Sequence, residues 1–171
     1  MDVLWITAGL GCDGDTISMT AATQPSLEDI LLGGIPWIPK VNFHNPCLAY
    51  ENGEVFLKPF HRAFAGGLAP FILVIEGSIP NEKNKAAGYW ASFGTDEKTG
   101  QPILTCDWID RLSPKAWAVI AAGTCATYGG IHADGGKSDR MHGPSRLFGL
   151  AMEIEGGHPY RVRSWMSGAT G

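Results

Sequence analysis

"PFILVIEGSIP", residues 70–80, is apolar without interruption from Pro70 to Ile75 and meets its first charge at Glu76. An apolar run of that length, bounded by glycine and proline, marks a strand covered on both faces, as in a parallel sheet. Working outward, "DVLWITA" (2–8) and "AWAVIAAGTCA" (116–126) have the same character. Helical patterns separate the three. Ile17, Met19, Leu27, Ile30 and Leu31 mark a helical stretch over 15–32, divided by Pro25. "HRAFAGGLA" (61–69) reads as a short helix and "CDWIDRLSPK" (106–115) as another. "WIPKVNFHN" (37–45) is a weaker strand whose proline assigns it to an edge. The order β-α-β-α-β-α-β predicts an α/β, three-layer fold, a parallel sheet with helices on both faces.

Ligands of such sheets bind beyond the carboxyl ends of the strands. Cys12 follows the first strand, Glu76 ends a central one, and Cys125 is expected at the end of the last. Three chemistry-bearing residues are thereby directed to one edge.

The chain has 171 residues, which predicts one domain with a substantial core. Apolar residues make up 44% and charged residues 18%, a globular balance. A net charge of −4 gives no electrostatic basis for nucleic-acid binding. No stretch approaches the ~20 apolar residues of a membrane span, and no leader pattern opens the chain. The cytoplasm is therefore expected, with membrane association only through partners. Residues 81–105 form a long polar, glycine-bearing insertion, expected to be functional or covered by a partner.

"GLGCDGD" (9–15) sets Cys12 and Asp15 three positions apart at a strand–helix turn. Such a pair can ligate a metal. It can equally be a buried thiol beside a carboxylate that caps the helix. Cys125 in "GTCATYGG" (123–130) is by itself no more than a small residue under a turn. Glu76, a carboxylate ending an apolar strand, suits either proton relay or a loop-bonding role. Cys47 and Cys106 have no partner at ligand spacing and read as packing thiols; His44, His61 and His132 read as surface or loop residues. No dinucleotide or P-loop motif is present.

"LWITAGLGCDGD", "VIEGSIP" and "GTCATYGGI" together resemble the N-terminal, flavodoxin-like domain of nickel–iron hydrogenase small subunits. That family usually carries Cys-x-x-Cys in the first motif, and Asp15 stands where the second thiolate is usual. The actinobacterial-type, oxygen-insensitive branch is similar in this respect, in the long insertion and in Cys106 after it. The resemblance implies a 4Fe-4S cluster held by Cys12, Asp15 and Cys125, with Glu76 beside it. It further implies a hetero-oligomer with a nickel–iron large subunit, and an electron acceptor of unknown identity. The hydrogen-splitting site would then lie in the partner.

The resemblance runs through 1–136, the expected cluster domain. Residues 137–171 contain no cysteine, so the family's fourth ligand, in Gly-Cys-Pro, is missing. This tail is expected to be non-family sequence, either a reading-frame product or a truncated end, that packs poorly and adds no strand to the sheet. Trp165-Met166 is encoded only by TGG ATG, and one base along that reads Gly followed by a codon beginning TG. With permitted codons the shifted frame gives Pro-Gly-Cys-Pro there. Two other functions compete: the cluster-bearing subunit of a respiratory quinone reductase, which usually has adjacent cysteines in its first motif, and a metal-free flavodoxin-like module. The latter needs a phosphate loop, and Asp13 and Asp15 would repel phosphate.

Overall fold

The computed structural model describes residues 1–7, 11–44, 53–80, 82, 88–129 and 141–142. Cys47, His132 and the segment from Lys137, apart from Met141 and His142, lie outside them, as does most of the expectation about how that segment packs.

The elements run β1 (Asp2–Thr7), α1 (Gly14–Ser18), α2 (Leu27–Leu32), β2 (Asn42–His44), α3 (Gly53–Phe64) and β3 (Phe71–Glu76). They continue with β4 (Ile79–Pro80), β5 (Ser92–Thr95), β6 (Pro102–Leu104), α4 (Thr105–Leu112), β7 (Ala118–Ala122), α5 (Gly123–Tyr128) and β8 (Met141–His142). Single 3-10 turns extend α1 over Met19–Ala21 and α4 over Ser113–Lys115. The principal sheet has the order β2-β1-β3-β7, with every pair parallel. Counted within the sheet this is 2-1-3-4, the doubly wound flavodoxin-like order.

Pleating explains why β1 and β3 read as unbroken apolar runs. Successive side chains point to opposite faces, and both faces are covered. Leu4, Ile6, Phe71, Leu73 and Ile75 enter a large core with Phe60 and Ala63 of α3 and Trp108, Ile109 and Leu112 of α4. Val3, Trp5 and Val74 face the other way, into a smaller cluster that includes Met19 and Phe43. The large core is closed by an aromatic group. Phe60 lies 5.5 Å from Trp108, Phe93 stacks on Trp108 at 5.6 Å, and the Trp108 indole N–H donates to the Phe93 carbonyl at 2.9 Å.

Four expectations need correction. The helix placed at 61–69 occupies 53–64 and contains Pro59, because Leu57, Phe60 and Ala63 form a buried stripe that outweighs the proline's lost N–H. The polar insertion is no simple loop: β5 and β6 pair antiparallel across it, and Ile103 and Phe93 supply the apolar side chains that seat the hairpin. Cys125 does not end a strand. β7 stops at Ala122, Gly123 turns the chain at φ +80°, and Cys125 lies in α5. His44 and His61 are built into elements. The first bonds Asp2 at 2.9 Å across the edge pair β1–β2, and the second packs edge-on to Trp108 at 5.2 Å.

Candidate metal centre

Register places the site. Thr7 pairs with Glu76 and Glu76 with Ala122, so the last residues of β1, β3 and β7 form one row across the carboxyl edge of the sheet. Beyond that row lie the residues from Gly11 that lead through Cys12 into α1, the Gly77–Ser78 turn at Gly77 φ +82°, and the Gly123 turn into α5.

The first turn has a specific geometry. Asp13, not Asp15, precedes α1, and it adopts the left-handed region at φ 56°, which a short aspartate tolerates better than most residues. The capping role considered for Asp15 is therefore not taken: Asp15 lies within the first turn of α1. The Cys12 side chain folds back over Gly14, where a Cβ would stand 3.1 Å from its Sγ. Cys12 and Asp15 are both exposed, and Cys12 is a free thiol.

Glu76 is the buried member, with 2% exposure. Its Oε1 accepts the backbone N–H of Asp15 at 3.0 Å and of Thr16 at 3.3 Å, and its Oε2 accepts the Thr16 hydroxyl. Thr16 is itself buried. A carboxylate removed from water in this way is held by charge-assisted hydrogen bonds that offset its desolvation.

The Asp15 carboxylate reaches the third turn. A Cβ on Gly123 would stand 2.7 Å from Asp15 Cγ and collide with the carboxylate oxygens. Cys125, a half-buried free thiol, follows two residues later in the first turn of α5. Cys12 and Asp15 thus share one turn, and Asp15 bridges to the turn that carries Cys125. Cys106 lies apart, on α4, packed against the large core. Burial, with Asp107, Glu82 and Asp110 nearby, pushes its thiol up to about 11. That is the behaviour of a packing thiol.

The donor chemistry suits iron. Two thiols and a carboxylate are available, and the glycines at 14 and 123 clear space around Cys12 Sγ and the Asp15 carboxylate. The Asp13 Oδ1, in the same turn, is buried without a hydrogen-bond partner among the described residues. Among those residues no three His, Cys, Asp or Glu side chains gather around a point that one metal ion would fill. A multi-iron group asks for something different, since each ligand binds its own iron and the donors stand around a space.

Thr16 and Gly123 were not singled out by sequence reasoning. Gly123 had a usable signal, a glycine between an apolar strand and a polar turn. Thr16 had none, because its partner is 60 residues away.

The family model for the NADH ubiquinone oxidoreductase 20 Kd subunit matches residues 12–162. The periplasmic NiFeSe hydrogenase small subunit of Desulfomicrobium baculatum is 31% identical over 97% of this chain and 52% of its own length. Among solved structures, an actinobacterial-type NiFe-hydrogenase from Ralstonia eutropha H16 superposes with a TM-score of 0.81 at 55% identity. That match covers 96% of this chain and 48% of the other. The NiFeSe hydrogenase of Desulfomicrobium baculatum superposes with a TM-score of 0.69 at 28% identity, covering 90% of this chain and 52% of that one. The chain spans about half the length of these relatives.

Proposed function

This chain belongs to the NADH ubiquinone oxidoreductase 20 Kd subunit family, and on that premise we propose that it is the electron-transfer small subunit of a nickel–iron hydrogenase. The 55% identity to the actinobacterial-type enzyme favours this over a quinone reductase subunit, the activity in the family's own description. Cys12, flanked by Gly11 and Asp13, also lacks the adjacent cysteine that the quinone reductase reading calls for. The observation that carries the site is Asp15 lying against Gly123, which joins the Cys12 turn to the Cys125 turn.

In this proposal Cys12, Asp15 and Cys125 ligate a 4Fe-4S cluster, which supplies one-electron transfer when bound. The chain's own contribution is to present two thiolates and one hard carboxylate from rigid strand ends, with Glu76 buried behind them. Ile17 on α1 and Tyr128 on α5 are exposed beside these turns. They are apolar contacts suited to a large subunit in an obligate interface, a class that buries upward of ~2,000 Å². Hydrogen would be split in that partner, and the electrons would pass through this subunit to an acceptor beyond it. The cytoplasmic placement belongs to the same proposal, although two relatives are described as periplasmic. Among the described residues no helix is long and apolar enough to cross a membrane.

The sequence contains no Gly-Cys-Pro for a fourth ligand. The segment from Lys137 as a frame-shift product is part of the proposal, and reading the gene from the codon for Gly130 onward tests it. One extra base near Lys137 supports it, and an intact frame removes it.

The function itself is tested by producing the protein anaerobically with its partner, in the reading frame that the gene establishes, and measuring iron, acid-labile sulfide and visible absorbance. Brown protein with iron and sulfide in equal amounts supports the reading. Colourless protein, or yellow protein with flavin fluorescence, overturns it.

A further inference from the structure

We infer that Glu76 is a positioning residue: its carboxylate holds the start of α1, and so fixes where Asp15 is presented to the Gly123 turn. The inference rests on the reading of Asp15 as a cluster ligand for its purpose, and on geometry alone for its mechanics.

The geometry has three parts. Glu76 sits in the row of strand ends between Thr7 and Ala122, midway between the two turns that must be brought together. Its carboxylate is 2% exposed and is met by the Asp15 N–H, the Thr16 N–H and the Thr16 hydroxyl. Asp15, by contrast, is exposed, and its side chain points to the place where residue 123 has no Cβ. The backbone of Asp15 is therefore tied down on one side while its carboxylate projects on the other. The Asp15 and Thr16 N–H groups lie in the first turn of α1, where no carbonyl of the helix itself can accept them. An anchor from the sheet supplies what the helix lacks.

The same contacts argue against a relay. A relay group must accept a proton from one neighbour and deliver it to another. Two of the three partners of Glu76 are backbone N–H groups, which donate hydrogen bonds and cannot take a proton onward. The residues also answer why a buried carboxylate stands where a glutamine would fill the same space. Charge strengthens each bond to the amides, roughly doubling it relative to a neutral acceptor.

Amide hydrogen exchange on the full chain, with and without iron and sulfide loading, tests this. In Glu76→Ala the Asp15 and Thr16 amides should exchange about tenfold faster or more, while Leu73 and Ile75 in β3 change by less than about twofold. Glu76→Gln keeps an oxygen for the two amides but loses the charge, so exchange there should fall between the parent and Glu76→Ala. After loading, Glu76→Ala should shift the electron paramagnetic resonance g-values and Glu76→Gln should leave them near the parent's. Unchanged Asp15 and Thr16 protection in Glu76→Ala overturns the inference, and so does Gln behaving like Ala in both readouts. If Glu76→Ala does not fold, Thr16→Val carries the test. It loses only the hydroxyl bond, so faster exchange at Thr16 supports the anchor and unaltered exchange overturns it. Should the parent chain take up no iron, the functional reading fails, while amide exchange still decides the anchor.

Discussion

The Asp15 carboxylate occupies the space that a side chain at position 123 would fill: a Cβ on Gly123 would stand 2.7 Å from Asp15 Cγ. Two turns more than 100 residues apart in sequence are thereby fitted together through a missing atom. Gly123 also turns the chain at φ +80°, where any other residue is strained.

Gly123→Ala therefore carries two penalties, strain and collision. The strain alone costs on the order of 1–2 kcal/mol, and displacement of Asp15 should lower iron uptake as well. Urea unfolding of the full chain measures the first and iron content after anaerobic loading the second. A variant as stable and as iron-rich as the parent would contradict this account.

Asp15 should be replaceable by a thiolate but not by a neutral group. Asp15→Asn removes the anionic donor and should lose most of the bound iron. Asp15→Cys should retain iron and change the reduction potential, because a soft ligand replaces a hard one. Protein-film voltammetry and iron analysis check both. Full iron in Asp15→Asn would remove Asp15 from the ligand set.

The aromatic group over the large core should dominate stability. Phe60 is 1% exposed and Trp108 also 1%, with an indole N–H bonded to Phe93. Phe60→Ala should cost about 3–5 kcal/mol. Trp108→Phe leaves the Phe93 carbonyl without that donor and should cost about 1–3 kcal/mol. Chemical denaturation monitored by circular dichroism measures both.

Cys106 should be chemically quiet. Burial first, then Asp107, Glu82 and Asp110, pushes its thiol up to about 11 from the ordinary 9.0. At pH 8 the thiolate is scarce, so alkylation by iodoacetamide should be slow at Cys106 and faster at exposed Cys12 in the unloaded chain. Linkage gives the accompanying sign. The folded thiol binds its proton more tightly than the unfolded one, so the contribution to stability is complete below about 9 and lost as pH rises through about 11. Cys106→Ala should flatten the fall in stability between those values. Mass spectrometry after timed labelling, and melting temperatures across that range, test the two statements.

Much of the fold was legible in the apolar runs. β1 and β3 read as strands because four or more consecutive residues are buried on alternating faces of a covered sheet, and that pattern is local. The β5–β6 hairpin was not legible, since its strands are only four and three residues long and are seated by Phe93 and Ile103 reaching a core made elsewhere. The early start of α3 was hidden by Pro59, a helix-breaking signal overruled by the burial of Phe60 and Leu57. Within the site, Cys12, Asp15, Glu76 and Cys125 could be named from residue type and from their place after apolar runs. Thr16 could not.

By itself the sequence determined which residues have chemistry to offer and which edge of the sheet they are carried to. Both follow from local composition, a strand's periodicity and the rule that crossovers return strands in parallel. Only the tertiary structure decided what each residue does there. The Thr7–Glu76–Ala122 row exists because three strands separated by long stretches of chain share one register. Glu76 became an anchor because that register brings it under two amides of a short helix, and Asp15 met Gly123 because β7 ends level with β3. Hydrogen bonds and excluded volume act over a few ångströms between residues distant in the chain, and no local pattern records such distances.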